Sequence, residues 1–212
     1  YKRQVVVAAG RGRRYQGVQH KLLEPLGGTT VLATTLRQAL ASALPLVVVT
    51  TRRLVGAASR VVASRDVVEV PEAAGVGGSD GDGQSALSLG HLVAAGVSAR
   101  PQAAGWLVLP ADLALVRPAT LEAVARALQD HPVAYAQYRG RRGHPVGFSA
   151  ELYSELIGLN GDEGARRIVA RYPSKAVEVD DPGVLLGVDT EEDLLAVRSA
   201  VARGPQADQA LR

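Results

Sequence analysis

The chain contains no cysteine and no methionine. Without a thiol it has no disulfide framework, no thiolate metal site and no cysteine nucleophile, and a reducing compartment is compatible with it. Aromatic residues make up 4%, with a single Trp and a single Phe, which argues against the stacking platforms that hold single-stranded nucleic acid. Long apolar runs are missing too. The longest, such as Val5–Ala9 and Leu44–Val49, are far too short to span a bilayer, and Tyr1–Gly10 lacks the longer apolar region of a signal peptide. These absences lead us to expect a cytoplasmic protein with neither a nucleic acid nor a membrane as partner. Charge of one sign is not in large excess: 24 basic residues face 21 acidic ones, a formal net charge of +3. An anionic ligand is therefore decided by where positive charge clusters, not by the total.

What is present is ordinary globular material. At 47% hydrophobic and 21% charged over 212 residues, the chain is long and apolar enough to bury a core. Short β-branched runs recur at Gln4–Ala9, Leu46–Thr50, Val67–Val70, Gly105–Pro110, Val133–Tyr138, Pro145–Phe148 and Ala176–Val179. Their continuous apolar character predicts strands covered on both faces. Helical patterns lie between them at Thr30–Ser42, Ser85–Gly96, Pro118–Gln129, Ser149–Leu159, Asp162–Tyr172 and Thr190–Ala202. Strands alternating with helices predict an α/β domain on a mainly parallel sheet. Pro118 stands at a predicted helix start, and Thr190 with Asp193 resembles a capping box with a shorter acid. Residues Glu72–Ser85 carry no hydrophobic period and read as a loop. We expect one domain over residues 1–204 and a loose tail over 205–212.

The most informative stretch follows the first predicted strand: Gly10 and Gly12, Arg11, Arg13 and Arg14, and then Lys21. A glycine-rich turn there aims backbone N–H groups at the carboxyl end of a parallel sheet, where anions bind in open α/β folds. A dinucleotide fingerprint needs a third glycine where Tyr15 stands, and no Walker pattern exists. Two readings remain. The loop wraps a triphosphate with backbone and guanidinium donors, or it is a solvated basic loop.

Several segments, in order along the chain, resemble one family. Ala8–Gly28 (AAGRGRRYQGVQHKLLEPLGG) is similar to the signature L-A-A-G-x-S/G-x-R-M/F-G-x-x-K-L-L of the MobA-like nucleotidyltransferases, which include the molybdenum cofactor guanylyl- and cytidylyltransferases. Gly83–Gly90 (GQSALSLG) resembles its G-x-S-x-S-L-x-x-G segment, and Leu107–Leu121 (LVLPADLALVRPATL) its strand ending in D-M-P-L-V before a helix. Tyr138–Val169 follows the cytidylyltransferase-like branch in both its R-G-H-P-V-x-F and G-D-x-G-A-R elements. Leu185–Val197 (LLGVDTEEDLLAV) resembles D-x-D-T-P-E-D-L.

The resemblance implies a Rossmann-like three-layer sandwich of the nucleotide-diphospho-sugar transferase type. It implies transfer of CMP from CTP to molybdopterin cofactor with Mg²⁺, releasing pyrophosphate, and a molybdenum hydroxylase apoenzyme or its maturation factor as partner. Carried over by position, Ala8, Ala9, Gly10, Arg11, Gly12, Arg14 and Lys21, with Gly83 and Ser85, would line the nucleotide. Lys21, Arg14 and Asp112 would be catalytic, Asp112 and Asp189 would hold Mg²⁺, and His144, Asp162 and Arg166 would face the acceptor. Each has a plainer alternative: a loop acid or cap for Asp112, a helix start for Asp189, a cap for Ser85. For His144 it is a turn hydrogen bond, and for Arg166 a surface ion pair. The chain also departs from the pattern. Ala114 replaces a proline, Gly187 replaces the first acid of D-x-D-T, and Glu191 replaces its proline. Other functions stay open at this level: a transferase with another triphosphate or a sugar-phosphate acceptor, a nicotinamide-dependent oxidoreductase, and a nucleotide-binding module without catalysis.

Overall fold

Valine-rich strands that must hide both faces organise the molecule around a central sheet. The computed structural model describes residues 1–9, 14–71, 88–161 and 164–203. In chain order its strands are β1 (Arg3–Ala8), a short hairpin β2 (Pro25–Leu26) and β3 (Thr29–Thr30), β4 (Leu46–Thr51), β5 (Val67–Val70), β6 (Gly105–Pro110), β7 (Val133–Tyr138), β8 (Arg141–Ser149) and β9 (Ser174–Glu178). The helices are α1 (Val31–Ala41), α2 (Arg52–Ala58), α3 (Leu89–Ser98), α4 (Pro118–Ala127), α5 (Tyr153–Ile157), α6 (Gly164–Arg171) and α7 (Glu191–Arg203). A seven-stranded sheet runs in the order β5-β4-β1-β6-β8-β7-β9. Pairing is parallel except along β8, which is antiparallel to both β6 and β7. The carboxyl ends of β1, β4 and β6 thus share one edge.

Alternation along the strands builds the layers. Val6, Val48 and Leu109 pack on one face with Leu32 and Leu36 of α1 and Leu194 and Val197 of α7. Val5, Val7, Val47, Val49 and Val108 pack on the other with Leu92, Val93 and Val97 of α3 and Leu156 of α5. A further cluster joins Leu107 and Ala134 to Val124 and Leu128 at α4. Each fully buried Val or Leu contributes about 1.5–3 kcal/mol, so this double core carries the fold. The result is a three-layer α/β sandwich. Among the described residues no helix is long and apolar enough to cross a membrane.

The differences from expectation are local. Helix α2 has no counterpart in the predicted elements, because its start carries Arg52 and Arg53 and its middle a glycine, so the apolar period is faint. The cap of α3 is Ser88, which accepts from the His91 N–H at 3.3 Å, while Ser85 lies outside the described residues. Strand β8 begins at Arg141 rather than Pro145, which puts His144 inside a strand instead of a turn. Pro118 does begin α4, and a distant residue caps it: Asp181 Oδ2 accepts from Arg117 N–H at 2.8 Å and from the Thr120 hydroxyl at 2.6 Å.

Candidate active site

Charged side chains from three separate parts of the chain meet at the carboxyl edge of the sheet. Lys21 opens a 3₁₀ turn, Lys21–Leu23, after the loop that leaves β1. Asp112 lies just past β6, and Asp189 just ahead of α7. Lys21 Nζ donates to Asp112 Oδ2 at 2.5 Å and to Asp189 Oδ1 at 3.1 Å. Asp189 Oδ2 accepts from Arg14 at 3.0 Å. Side-chain exposure falls from 74% at Arg14 through 48% at Asp189 and 16% at Asp112 to 8% at Lys21. The outer pair adds little stability, being screened by water. The inner charges need each other, since a buried charge without a partner is costly.

Local structure explains why these groups stand where they do. His20 is buried, and its Nδ1 accepts from the Leu22 N–H at 3.2 Å, closing the turn that presents Lys21. Around Asp112, Ala111 N–H donates to the Val7 carbonyl at 3.0 Å and the Thr35 hydroxyl donates to the Ala111 carbonyl at 2.6 Å. Val188 N–H donates to the Asp112 carbonyl at 3.3 Å, which brings the segment with Asp189 alongside. The turn after β6 does without the family's proline: Leu113 N–H reaches the Pro110 carbonyl at 3.3 Å, and Ala114 is fully buried in the core. At α7 the capping box is real. Asp193 Oδ2 accepts from Thr190 N–H at 2.8 Å, and Thr190 Oγ1 accepts from Asp193 N–H at 3.1 Å. Burial pushes the Asp193 carboxyl up, but hydrogen bonds from Thr190 and from the Asp189 and Thr190 N–H groups outweigh it and hold it below its ordinary value. The helix start is therefore capped without Asp189, whose carboxylate is left for Lys21 and Arg14.

This donor set can be tested against a divalent ion. Among the described residues no three His, Cys, Asp or Glu side chains gather into a cage. Instead two carboxylates, Asp112 and Asp189, already converge on one cation, the Lys21 ammonium. Mg²⁺ is commonly held by one or two carboxylates, with waters and substrate phosphates completing its shell. The pair fits such an ion. A Cβ at Gly187 would stand 3.8 Å from Asp112 Oδ1, in ordinary van der Waals contact, so the position of the first acid of D-x-D-T lies directly beside Asp112.

A cavity of about 670 Å³ lies next to this network. Val108, Val146, Phe148 and Val169 form apolar walls, and Arg142, His144 and Arg166 supply its polar groups. Burial drives the His144 imidazolium down to about 4, with Arg142 acting in the same direction and Asp112 and the Val108 backbone opposing. The ring is neutral at pH 7. Its Nδ1 is buried with no hydrogen-bond partner among the described residues.

Of the residues singled out in the sequence, Arg14, Lys21, Asp112 and Asp189 come together, and His144 and Arg166 share the adjacent cavity. Ala8 ends β1, its carbonyl accepting from the Thr50 hydroxyl at 2.6 Å, and Ala9 follows it. Gly10, Arg11, Gly12, Gly83 and Asp162 lie outside the described residues, as does the tail over 205–212. Sequence reasoning passed over His20, whose value rests on burial, and gave no role to Arg142, although it opens the R-G-H-P-V-x-F element. Tyr15 also has a structural task. It packs on the core, and burial together with a hydrogen bond to Glu24 raises its hydroxyl to about 12. Glu24 in turn pairs with Arg198 of α7 at 3.2 Å. A bulky anchored ring stands where a dinucleotide fingerprint requires glycine, which removes the nicotinamide reading.

Comparison with known proteins agrees. A family model described as the MobA-like NTP transferase domain matches residues 4–177. The purine catabolism protein PucB of Bacillus subtilis (strain 168) is 31% identical over 211 residues, 93% of this chain and 96% of PucB. Among solved structures, Rv0371c of Mycobacterium tuberculosis H37Rv superposes with a TM-score of 0.74 at 29% identity, covering 93% of this chain and 97% of its own. Rv0371c has also been solved in complex with manganese. A nucleotidyl transferase from Methanothermobacter, Mth528, superposes with a TM-score of 0.75 at 25% identity, covering 95% and 98%. The three-layer fold is thus of the nucleotide-diphospho-sugar transferase type.

Proposed function

The chain belongs to the MobA-like NTP transferase family and is a nucleotidyltransferase, and on that premise we propose that it moves CMP from CTP to molybdopterin cofactor, releasing pyrophosphate. The observation that carries this reading is Lys21 held between Asp112 and Asp189, with Arg14 on the outer carboxylate. Lys21 and Arg14 neutralise Asp112 and Asp189. With a triphosphate bound, its phosphates would accept from Lys21 and Arg14, and Asp112 and Asp189 would hold a divalent ion. When bound, Mg²⁺ neutralises triphosphate charge and favours departure of pyrophosphate. An oxygen of the acceptor phosphate attacks the α-phosphorus; the bond from that phosphorus to the bridging oxygen breaks, and pyrophosphate leaves with the electron pair. The acceptor is already ionised, so no side chain has to remove a proton. The chain's task is to orient the partners and stabilise charge.

In this proposal Ala8 to Gly12, with Gly83 and Ser85, border the nucleotide, and His144, Asp162 and Arg166 the acceptor. The product would pass to a molybdenum hydroxylase apoenzyme or its maturation factor. Support for CTP comes from the likeness of Tyr138–Val169 to the cytidylyltransferase-like branch. The test is pyrophosphate release from each of the four ribonucleoside triphosphates, with Mg²⁺, in the presence and absence of molybdenum cofactor. Cofactor-dependent release from CTP alone is expected. Cofactor-dependent release from another triphosphate, or none from any, refutes the proposal.

A further inference from the structure

Helix α1 is tied to both sides of the contact between Lys21 and Asp112. At its start, Val31 N–H donates to the Glu24 carbonyl at 3.0 Å, and Glu24 N–H donates to the Lys21 carbonyl at 3.3 Å. The turn that presents Lys21 is thereby fastened to the helix. One turn further on stands Thr35, fully buried on the same face as Leu32, Leu36 and Ala39. Its hydroxyl lies 3.0 Å from the Val31 carbonyl of its own helix and 2.6 Å from the Ala111 carbonyl, just past β6. A hydroxyl has one proton to give, and a threonine inside a helix commonly gives it to the carbonyl three or four residues back. Here the shorter contact leads out of the helix.

The Ala111 carbonyl and the Asp112 N–H belong to one planar peptide, so holding that oxygen orients the plane from which the Asp112 Cα departs. The following peptide is held as well, because Val188 N–H donates to the Asp112 carbonyl at 3.3 Å. Asp112 is thus gripped from both sides: by α1, which also fastens Lys21, and by the segment that leads into Asp189. A valine at position 35 would fill the same space on an otherwise apolar face, and a buried hydroxyl is costly unless it is bonded. Packing therefore does not account for the hydroxyl, whereas the bond to Ala111 does. Thr50 offers a comparison. Its hydroxyl is also fully buried and donates at 2.6 Å, but to the Ala8 carbonyl at the end of β1.

We infer that Thr35 is a positioning residue: through the peptide between Ala111 and Asp112 it sets the Asp112 carboxylate where it can share a divalent ion with Asp189. This rests on the reading of those two carboxylates as the ion's ligands. Removing a group that orients a metal ligand typically costs about 10–100-fold in metal affinity. The test is Mn²⁺ binding to the full chain without nucleotide, followed by the electron paramagnetic resonance of free Mn²⁺. It is made in Lys21→Met, where no ammonium competes for the carboxylates. Adding Thr35→Val is expected to weaken Mn²⁺ binding by about tenfold or more, and Thr35→Ser in its place, which keeps the hydroxyl, to retain most of the affinity. Adding Thr50→Val instead removes an equally short buried bond, so it lowers Tm comparably but leaves Mn²⁺ affinity that of Lys21→Met. A role in stability alone would lower Tm in both valine variants and move the Mn²⁺ affinity in neither. Equal affinity with and without Thr35→Val, a loss with Thr35→Ser as large as with Thr35→Val, or an equal loss with Thr50→Val overturns the inference. Absence of Mn²⁺ binding by Lys21→Met itself overturns it together with the metal assignment. Failure of the pyrophosphate assay with these titrations as expected refutes the proposed reaction and leaves Thr35 in its role.

Discussion

Replacing Lys21 with methionine removes the ammonium from between Asp112 and Asp189 while keeping most of the side-chain volume. The wild-type contacts are 2.5 and 3.1 Å, so the variant leaves two carboxylates facing one another across a small gap. At a separation of about 5 Å and an effective dielectric of about 20, two like charges repel by about 3 kcal/mol. Asp189 is 48% exposed and still bonded to Arg14, so solvent and that guanidinium remove part of this. A net loss of about 2 kcal/mol remains, which for a chain of this size lowers Tm by about 4–8 °C. The measurement is thermal unfolding at pH 8 in EDTA, followed by titration with Mg²⁺ or Mn²⁺ in the absence of nucleotide. The variant is expected to melt lower in EDTA and to regain stability with millimolar divalent ion, because the carboxylates then have a cation again. Wild type gains much less, its own ammonium already standing there. Equal Tm values in EDTA, or equal gains on adding metal, would show that the lysine and a metal ion do not compete for the same two carboxylates.

Asp112→Asn is expected to reduce pyrophosphate release by at least about a hundredfold, the scale of losing one preorganised electrostatic contact, with Tm within a few degrees of wild type; unchanged turnover removes Asp112 from the site. Below pH 6.5 the unfolded chain protonates His144, whereas the folded ring stays neutral to about 4. Native stability is therefore lost as pH falls through that window, by up to about 3 kcal/mol, and the loss levels off below it. Urea midpoints of wild type and His144→Gln measured from pH 7 to 4.5 should diverge towards acid, and parallel curves would contradict the buried neutral ring. Asp181→Ala strips acceptors from Arg117 N–H, the Thr120 hydroxyl and Gly183 N–H at a residue 2% exposed. It should cost about 2–3 kcal/mol by denaturant titration, and a loss under about 0.5 kcal/mol would show that the start of α4 does not depend on it.

Much of the fold could be read from the chain. Gly105–Pro110 and Val133–Tyr138 are strands with the bounds that their apolar runs indicate, because period and turn residues are local properties. Helix α2 escaped for the same reason: two arginines and a glycine blur its period, and packing against the sheet makes it a helix. Lys21 and Asp112 were visible as candidates, each beside a strand end.

What the sequence by itself determined is the alternation of strands and helices, the resemblance to one family, and a short set of charged residues worth weighing. A charged residue in a list carries no information about its partner, since Coulomb interactions depend on distances that chain topology sets. The capping box of Thr190 and Asp193 was legible in the sequence, but only the tertiary structure decided that Lys21, near the start of the chain, bridges Asp112 from its middle and Asp189 from near its far end. It alone placed the Arg142 guanidinium over the ring of Tyr135 at the edge of a cavity. These are long-range facts. They follow from how β1, β6 and β8 lie side by side in the sheet, and no local pattern encodes that neighbourhood.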